Sequence, residues 1–151
     1  MWAIRIEERA LTALELERMR AGFDENTVAN GVEIQKSERI DCIALADGQY
    51  VGCISGLAYR NGRGYSSWFN LTDLIVEQGY RGKGIGSRLL RTIEDKLLGL
   101  GVDKIWVWTA GYEAPRFYQA RGYTIATELE GWYSNGERRI GLRKALGPRR
   151  A

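Results

Sequence analysis

The chain is expected to fold as an α+β domain, with a mixed, mostly antiparallel central sheet flanked by helices. Three observations carry that expectation. Alternating apolar runs flank Asp47-Gly48, a strong two-residue hairpin signal. The apolar run Leu74-Ile75-Val76 leads through a glycine-rich turn into a stretch of helical periodicity over residues 84–98, and then into Lys104-Ile105-Trp106-Val107-Trp108. That strand–helix–strand order predicts a parallel strand pair joined by a right-handed crossover. Two further strand-like runs, 123–128 and 138–142, close the chain around the candidate turn Asn135-Gly136. At 151 residues the chain is long enough to bury one sizeable core, so residues 1–146 are read as a single domain and 147–151 as a short basic tail.

The elements follow in order. Residues 2–6 alternate and predict a first strand. Leu11, Leu14, Leu16, Met19 and Phe23 recur at roughly helical spacing, which predicts a helix to about residue 21 with Gly22 at its end. Residues 24–27 read as a loop or as the start of a second short helix. Residues 41–46 and 49–59 are strands around Asp47-Gly48, Asn61-Gly62-Arg63-Gly64 makes the next turn, and residues 67–76 form a third strand. In the central helix Ile85, Leu89, Leu90, Ile93, Leu97 and Leu98 mark the buried face, and Arg88, Arg91, Asp95 and Lys96 the other; Gly99 and Gly101 end it. A short helix over 115–121 opens with Pro115, where a missing N–H costs little, and ends at Gly122.

Composition narrows the function classes. The formal net charge is +3, from 22 Lys and Arg against 19 Asp and Glu, and there is no histidine. No apolar stretch approaches the length of a membrane span, and no basic-then-apolar leader opens the chain, so a cytoplasmic protein without membrane contact is expected. The basic excess at Arg138, Arg139, Arg143, Lys144, Arg149 and Arg150 reads as a solvated strand face and tail, with no nucleic-acid partner. No metal site is expected. A turn at Asp47-Gly48 places Ala46 opposite Gln49, Leu45 opposite Tyr50 and Cys42 opposite Cys53. That register makes a disulfide geometrically feasible, but two buried thiols are expected in a cytosolic protein. A catalytic cysteine is disfavoured, because no histidine is present to activate it.

The most informative run is Glu77-Gln78-Gly79-Tyr80-Arg81-Gly82-Lys83-Gly84-Ile85-Gly86-Ser87, which joins the Leu74–Val76 run to the central helix. Glycines let backbone approach a ligand closely, and the N–H groups of a helix N-terminus favour an anion. Arg81 and Lys83 add fixed positive charge, so the turn reads as a phosphate cradle. It is not a Walker A loop, since Ile85 stands where that motif needs Lys. It is not a dinucleotide fingerprint either, since Ser87 fills the third glycine position after Gly82 and Gly84.

What fits is Arg/Gln-x-x-Gly-x-Gly, as Arg81-Gly82-Lys83-Gly84-Ile85-Gly86, which resembles the acyl-CoA pyrophosphate loop of the GNAT superfamily of N-acetyltransferases. Ala114-Pro115-Arg116-Phe117-Tyr118-Gln119-Ala120-Arg121-Gly122-Tyr123 is similar to the second diagnostic segment of that family, Ala-x-x-Phe-Tyr-x-x-x-Gly-Phe/Tyr. The family often has Asn three residues before the Ala; here Gly111 stands there, which removes one side-chain contact to the cofactor arm. The stretches 112–115 and 128–133 look like a branch of small bacterial GNAT enzymes with unassigned substrates. The resemblance covers residues 40–145 by order of elements and the N-terminal region only weakly.

The resemblance implies a GNAT fold, with the parallel pair splayed apart, and acetyl-CoA as co-substrate. It implies donor contacts from Leu74 and Val76 through main chain, and from Arg81, Gly82, Lys83, Gly84, Gly86 and Ser87. Tyr118 matches the residue that serves as general acid in many members; otherwise it is a packed aromatic. Without histidine the general base falls to a carboxylate, a water chain or tyrosine. Asp73, on the strand leading to the cofactor, is the best placed, with Glu33, Glu113 and Tyr112 as further candidates; Asp73 as a solvated strand residue stays open. Trp68, Trp106, Trp108, Tyr112, Trp132 and Tyr133 lie on or near elements that line the implied cleft. Of these Trp106 is assigned to the core, while Tyr112, Trp132 and Tyr133, with Glu33, are the acceptor-side candidates. Asp24 and Glu25 would add acidity that attracts a cationic amine. The expected partner is a small-molecule primary amine, with a protein or peptide amine as the variation on it. An acyl-CoA-binding regulatory module without turnover is the competing class. A homodimer through the last strand with Trp132 and Tyr133 is left open.

Overall fold

The computed structural model describes residues 1–112 and 114–147. It holds two compact units, Met1–Ile34 and the chain from Gln35 onward. The first is built on α1 (Ala13–Ala29). Thr12 caps it: the Thr12 hydroxyl accepts from the Glu15 N–H at 3.2 Å, and the Glu15 carboxylate accepts from the Thr12 N–H at 2.9 Å. Arg9 and then the Thr12 N–H hold the Glu15 carboxyl down to about 2. The helix does not end at Gly22. A glycine costs about 1 kcal/mol relative to alanine inside a helix, too little to stop one whose ladder continues. The end comes at Asn30, followed by Gly31 at φ +72°. Residues 24–27 therefore belong to α1. The strand expected over residues 2–6 does not form, and Trp2, Ile4 and Ile6 are exposed. Alternation marks a strand only where a neighbour satisfies its N–H and C=O groups.

The second unit holds β1 (Lys36–Ala46), β2 (Gln49–Asn61), β3 (Gly64–Val76), α2 (Ile85–Gly99), β4 (Lys104–Ala110), α3 (Pro115–Gln119), β5 (Thr124–Leu129) and β6 (Arg139–Ala145). The six strands lie in the order β1-β2-β3-β4-β6-β5, and only β3 and β4 are parallel. Asp47 (φ 48°) and Gly48 (φ 78°) both occupy the left-handed region, as a two-residue hairpin turn that matches strand twist requires. Ala46 faces Gln49 and Leu45 faces Tyr50.

One residue further the register shifts at a bulge between Ala44 and Leu45, so Cys42 faces Ile54 and Cys53 faces Ile43. Cross-strand partners share a sheet face and successive residues alternate, so the two cysteines lie on opposite faces. The predicted Cys42–Cys53 pairing is thus lost to a single extra residue, and both thiols are free and half-buried. Thiol titration of denatured, unreduced protein is expected to count two thiols; none would contradict this register.

The core lies between the sheet and α2. Leu89, Leu90, Ile93 and Leu97 pack on Ile54, Phe69, Leu71 and Ile105. Among them sits a buried polar cluster that periodicity does not announce. Glu94 (8 % exposed) accepts from the Tyr123 hydroxyl at 3.0 Å and from Lys144 Nζ at 2.9 Å. Burial, then the Glu94 charge, pushes the Tyr123 phenol far above its ordinary value. Trp106, expected in the core, is half-buried on the other sheet face beside Trp108, at a ring separation of 6.1 Å. The core positions of β4 are instead Ile105, Val107 and Thr109. No helix among the described residues is long and apolar enough to cross a membrane.

Candidate active site

The parallel pairing is short. Trp68–Leu71 of β3 pair with Lys104–Val107 of β4, and beyond Leu71 no β3 residue has a β4 partner. The last turn of β3 thus faces a gap, and the hydrogen-bond phase decides which groups open into it. Glu77 N–H donates to Val51 O at 2.8 Å, which makes Val51 and Glu77 a hydrogen-bonded pair. With Gly52 facing Val76 and Ile54 facing Leu74, the main-chain groups of Leu74 and Val76 point away from β2 and into the gap. The Val76 carbonyl accepts from Arg81 Nε at 2.8 Å, so Arg81 ties the loop to the strand end.

After a 3-10 turn over Gln78–Tyr80, Gly82 (φ 76°) and Gly84 (φ 80°) adopt left-handed conformations. Gly84 is the N-cap of α2 and makes no side-chain cap, so the first N–H groups of the helix are left to a ligand. A Cβ at Gly82 or Gly84 would meet nothing within 4 Å, which leaves open space over the loop. A cavity of about 260 Å³ lies there, lined by Val76, Arg81, Gly82, Gly84, Gly86 and Ser87, with Phe117 and Arg121 closing it. Positive charge, free N–H groups and glycine backbone together suit an anion such as a pyrophosphate.

Gly84→Ala isolates the backbone requirement, because the added methyl clashes with nothing. The left-handed conformation costs a non-glycine residue about 1–2 kcal/mol. We expect a lower Tm and weaker binding of CoA, read by thermal melting and by calorimetry; unchanged values for both would show that the loop tolerates a side chain there.

Leu74 and Lys83 do not line the cavity. Leu74 packs its side chain on the core, and Lys83 Nζ stands 5.9 Å from the Tyr80 ring centre. Arg121 also lines the cavity, and neither motif segment singles it out. Its Nε donates to Ser87 Oγ at 3.0 Å, its Nη1 donates to Phe117 O at 2.9 Å, and its guanidinium lies 3.9 Å from the Phe117 ring centre. A basic residue just before Gly122 was the only signal for it.

Tyr118 is 5 % exposed and packs edge-on against Phe117 and Tyr123, at 5.2 and 5.4 Å between ring centres. It lies in the core cluster on the α2 side, with Val76 packed against that cluster. Asp73 is exposed and faces Ser55, which faces Asp41 on the next strand. Those three form a polar row on the face opposite Leu74 and Val76. The Ser55 hydroxyl donates to Asp41, and this bond, followed by Arg39, holds the Asp41 carboxyl below its ordinary value.

The aromatic candidates separate into two groups. Tyr112 and Tyr133 meet edge-on at 5.3 Å, and Trp132 shares the Arg139 guanidinium with Trp108, each ring centre 5.0 Å from it. Trp68, Trp106 and Trp108 line a shallow depression with Arg143, and Arg139 joins it to Trp132 through Trp108. Glu33, Asp24 and Glu25 are exposed in the N-terminal unit. Glu113 lies outside the described residues.

The model of the acetyltransferase (GNAT) family matches residues 6–123. This chain belongs to that GNAT family. A solved acetyltransferase from Bacillus cereus ATCC 14579 shares the fold with a TM-score of 0.77 at 22% identity, covering 93% of this chain and 98% of that one. Aminoglycoside 6'-acetyltransferase type Ii is 30% identical, with a TM-score of 0.60, over 75% of this chain and 72% of that one. Thialysine N-epsilon-acetyltransferase of Bos taurus is 32% identical over 75 residues, 46% of this chain and 44% of that protein. The match thus spans less than half the length of that curated relative. In this GNAT chain β5 and β6 lie beyond the family match, so Trp132, Tyr133 and Arg139 fall in its own C-terminal part.

Proposed function

We propose that the protein transfers an acetyl group from acetyl-CoA to a primary amine of a small molecule. The observation that carries this reading is the glycine loop at the N-terminus of α2, opening beside the gap between β3 and β4. An acyl-CoA donor has the two parts these features suit: a pyrophosphate for the loop, and an amide-bearing arm for the outward main-chain groups of Leu74 and Val76. In the transfer the amine nitrogen bonds to the thioester carbon as the carbon–sulfur bond breaks. The amine loses a proton to Asp73, directly or through water, and the leaving thiolate takes one from Tyr118. A Val76 N–H in the gap would polarise the thioester carbonyl as charge develops on it. Donor and acceptor held together also save much of the entropy of their encounter.

Tyr112, Tyr133 and Trp132 support a small amine as acceptor, since aromatic faces bind ammonium groups and amine-bearing sugars. Relatives named for thialysine and aminoglycoside acetylation fall in the same substrate range. The test is a thiol-release assay with acetyl-CoA against amines, aminoglycosides and short peptides, corrected for the protein's two thiols. Turnover with one small-amine class is expected. Turnover confined to peptides would move the acceptor to a protein N-terminus or lysine, and CoA binding with no turnover would leave a binding module.

A further inference from the structure

Ser87 and Arg121 line two cavities, the one over the loop and a second of about 300 Å³ that shares them as lining. The second cavity also presents Arg91, Glu94 and Lys144. Its single carboxylate is already matched. Lys144 Nζ stands 2.9 and 3.3 Å from the two Glu94 oxygens, and the Tyr123 hydroxyl occupies one of them as well. Arg91 and Arg121 therefore bring two positive charges in excess. Arg121 is pre-set by its bonds to Ser87 and Phe117 and by its stack on the Phe117 ring. Its remaining N–H groups have no partner among the described residues, and an ordered guanidinium loses little freedom when an anion arrives.

We infer that the second cavity takes the 3'-phosphate of the CoA donor, and that Arg91 and Arg121 make the protein select the 3'-phosphorylated donor over its 3'-dephospho form. The inference rests on the proposed acetyl-CoA reading of the loop. In CoA one ribose separates the pyrophosphate from the 3'-phosphate, and here one shared wall separates the loop cavity from the basic one. A phosphate monoester carries about −1.5 to −2 charges near neutrality, which matches two guanidinium groups that have no carboxylate partner among the described residues. Planar guanidinium groups also bind phosphate oxygens in pairs, which a lysine does not.

Calorimetric titration of the full chain with CoA and with 3'-dephospho-CoA tests this without knowledge of the acceptor. Wild-type protein is expected to bind CoA about tenfold or more tighter, the loss that follows removal of a charge-assisted hydrogen bond. Arg91→Met lies away from the loop cavity, so its effect is expected on CoA and not on 3'-dephospho-CoA, bringing the two affinities together. Arg121→Met is expected to weaken both ligands and CoA more. Equal wild-type affinities overturn the inference and leave the loop reading in place. A preference for CoA that Arg91→Met and Arg121→Met both preserve also overturns it, since the phosphate is then held elsewhere. Failure of both ligands to bind overturns the loop reading and the inference with it.

Discussion

Tyr118→Phe is expected to lower kcat about a hundredfold or more, with little change in the KM for acetyl-CoA or in Tm. The size follows from the usual contribution of a positioned acid, about 10²- to 10⁴-fold. The split follows from the structure. The Tyr118 ring is buried against Phe117 and Tyr123, and phenylalanine keeps those contacts, so packing survives the change. What disappears is the hydroxyl proposed above as proton donor to the leaving thiolate. A role confined to packing predicts kcat and Tm both retained, since phenylalanine preserves the ring contacts. Steady-state kinetics beside a thermal melt separate the two, and a kcat within a factor of about three of wild type removes Tyr118 from the chemistry.

Glu94→Ala is expected to cost about 3 kcal/mol of stability, at the low end for breaking a buried ion pair. The side chain is 11% exposed and its Lys144 partner 24%, so Lys144 recovers some hydration once it is orphaned. The Tyr123 hydroxyl, 2 % exposed as a residue, has no such recourse and is left buried without its acceptor. For a chain of this length the loss corresponds to a fall in Tm of roughly 6–12 °C. Combining Glu94→Leu with Lys144→Met and Tyr123→Phe replaces all three polar groups with apolar ones of similar bulk, and should recover most of the stability. Chemical denaturation of the single and triple variants checks both statements. A single variant as stable as wild type would mean that water reaches the cluster.

Local features of the candidate site were legible in the chain because each depends on neighbouring residues. Gly82 and Gly84 announce left-handed backbone, and Ile85, Leu89, Leu90, Ile93 and Leu97 announce a helix with one buried face. Asp47-Gly48 announces its hairpin. The candidate residues from the two motif segments then follow by position along these elements. Failures came where an element needs a partner or a competing element. The alternation over residues 2–6 found no ladder, and Gly22 gave way to a helix that continues past it. Trp106 is large and apolar, yet strand alternation assigns the core to its neighbours Ile105 and Val107.

The sequence by itself determined the phosphate-cradle loop, the strand–helix–strand unit around it and the likeness to acetyltransferases. These rest on φ preferences, on periods of two and 3.6 residues, and on motif spacing, all of which act within about one turn or one strand. Only the tertiary structure decided the bulge that sends Cys42 and Cys53 to opposite faces and the point where β3 leaves β4. It also decided the contact between Ser87 and Arg121 and the closure of Lys144 on Glu94. The residues of those pairs are 34 and 50 positions apart. A side chain's own type says that it wants a partner, and packing of the sheet against α2 and α3 decides which one it meets.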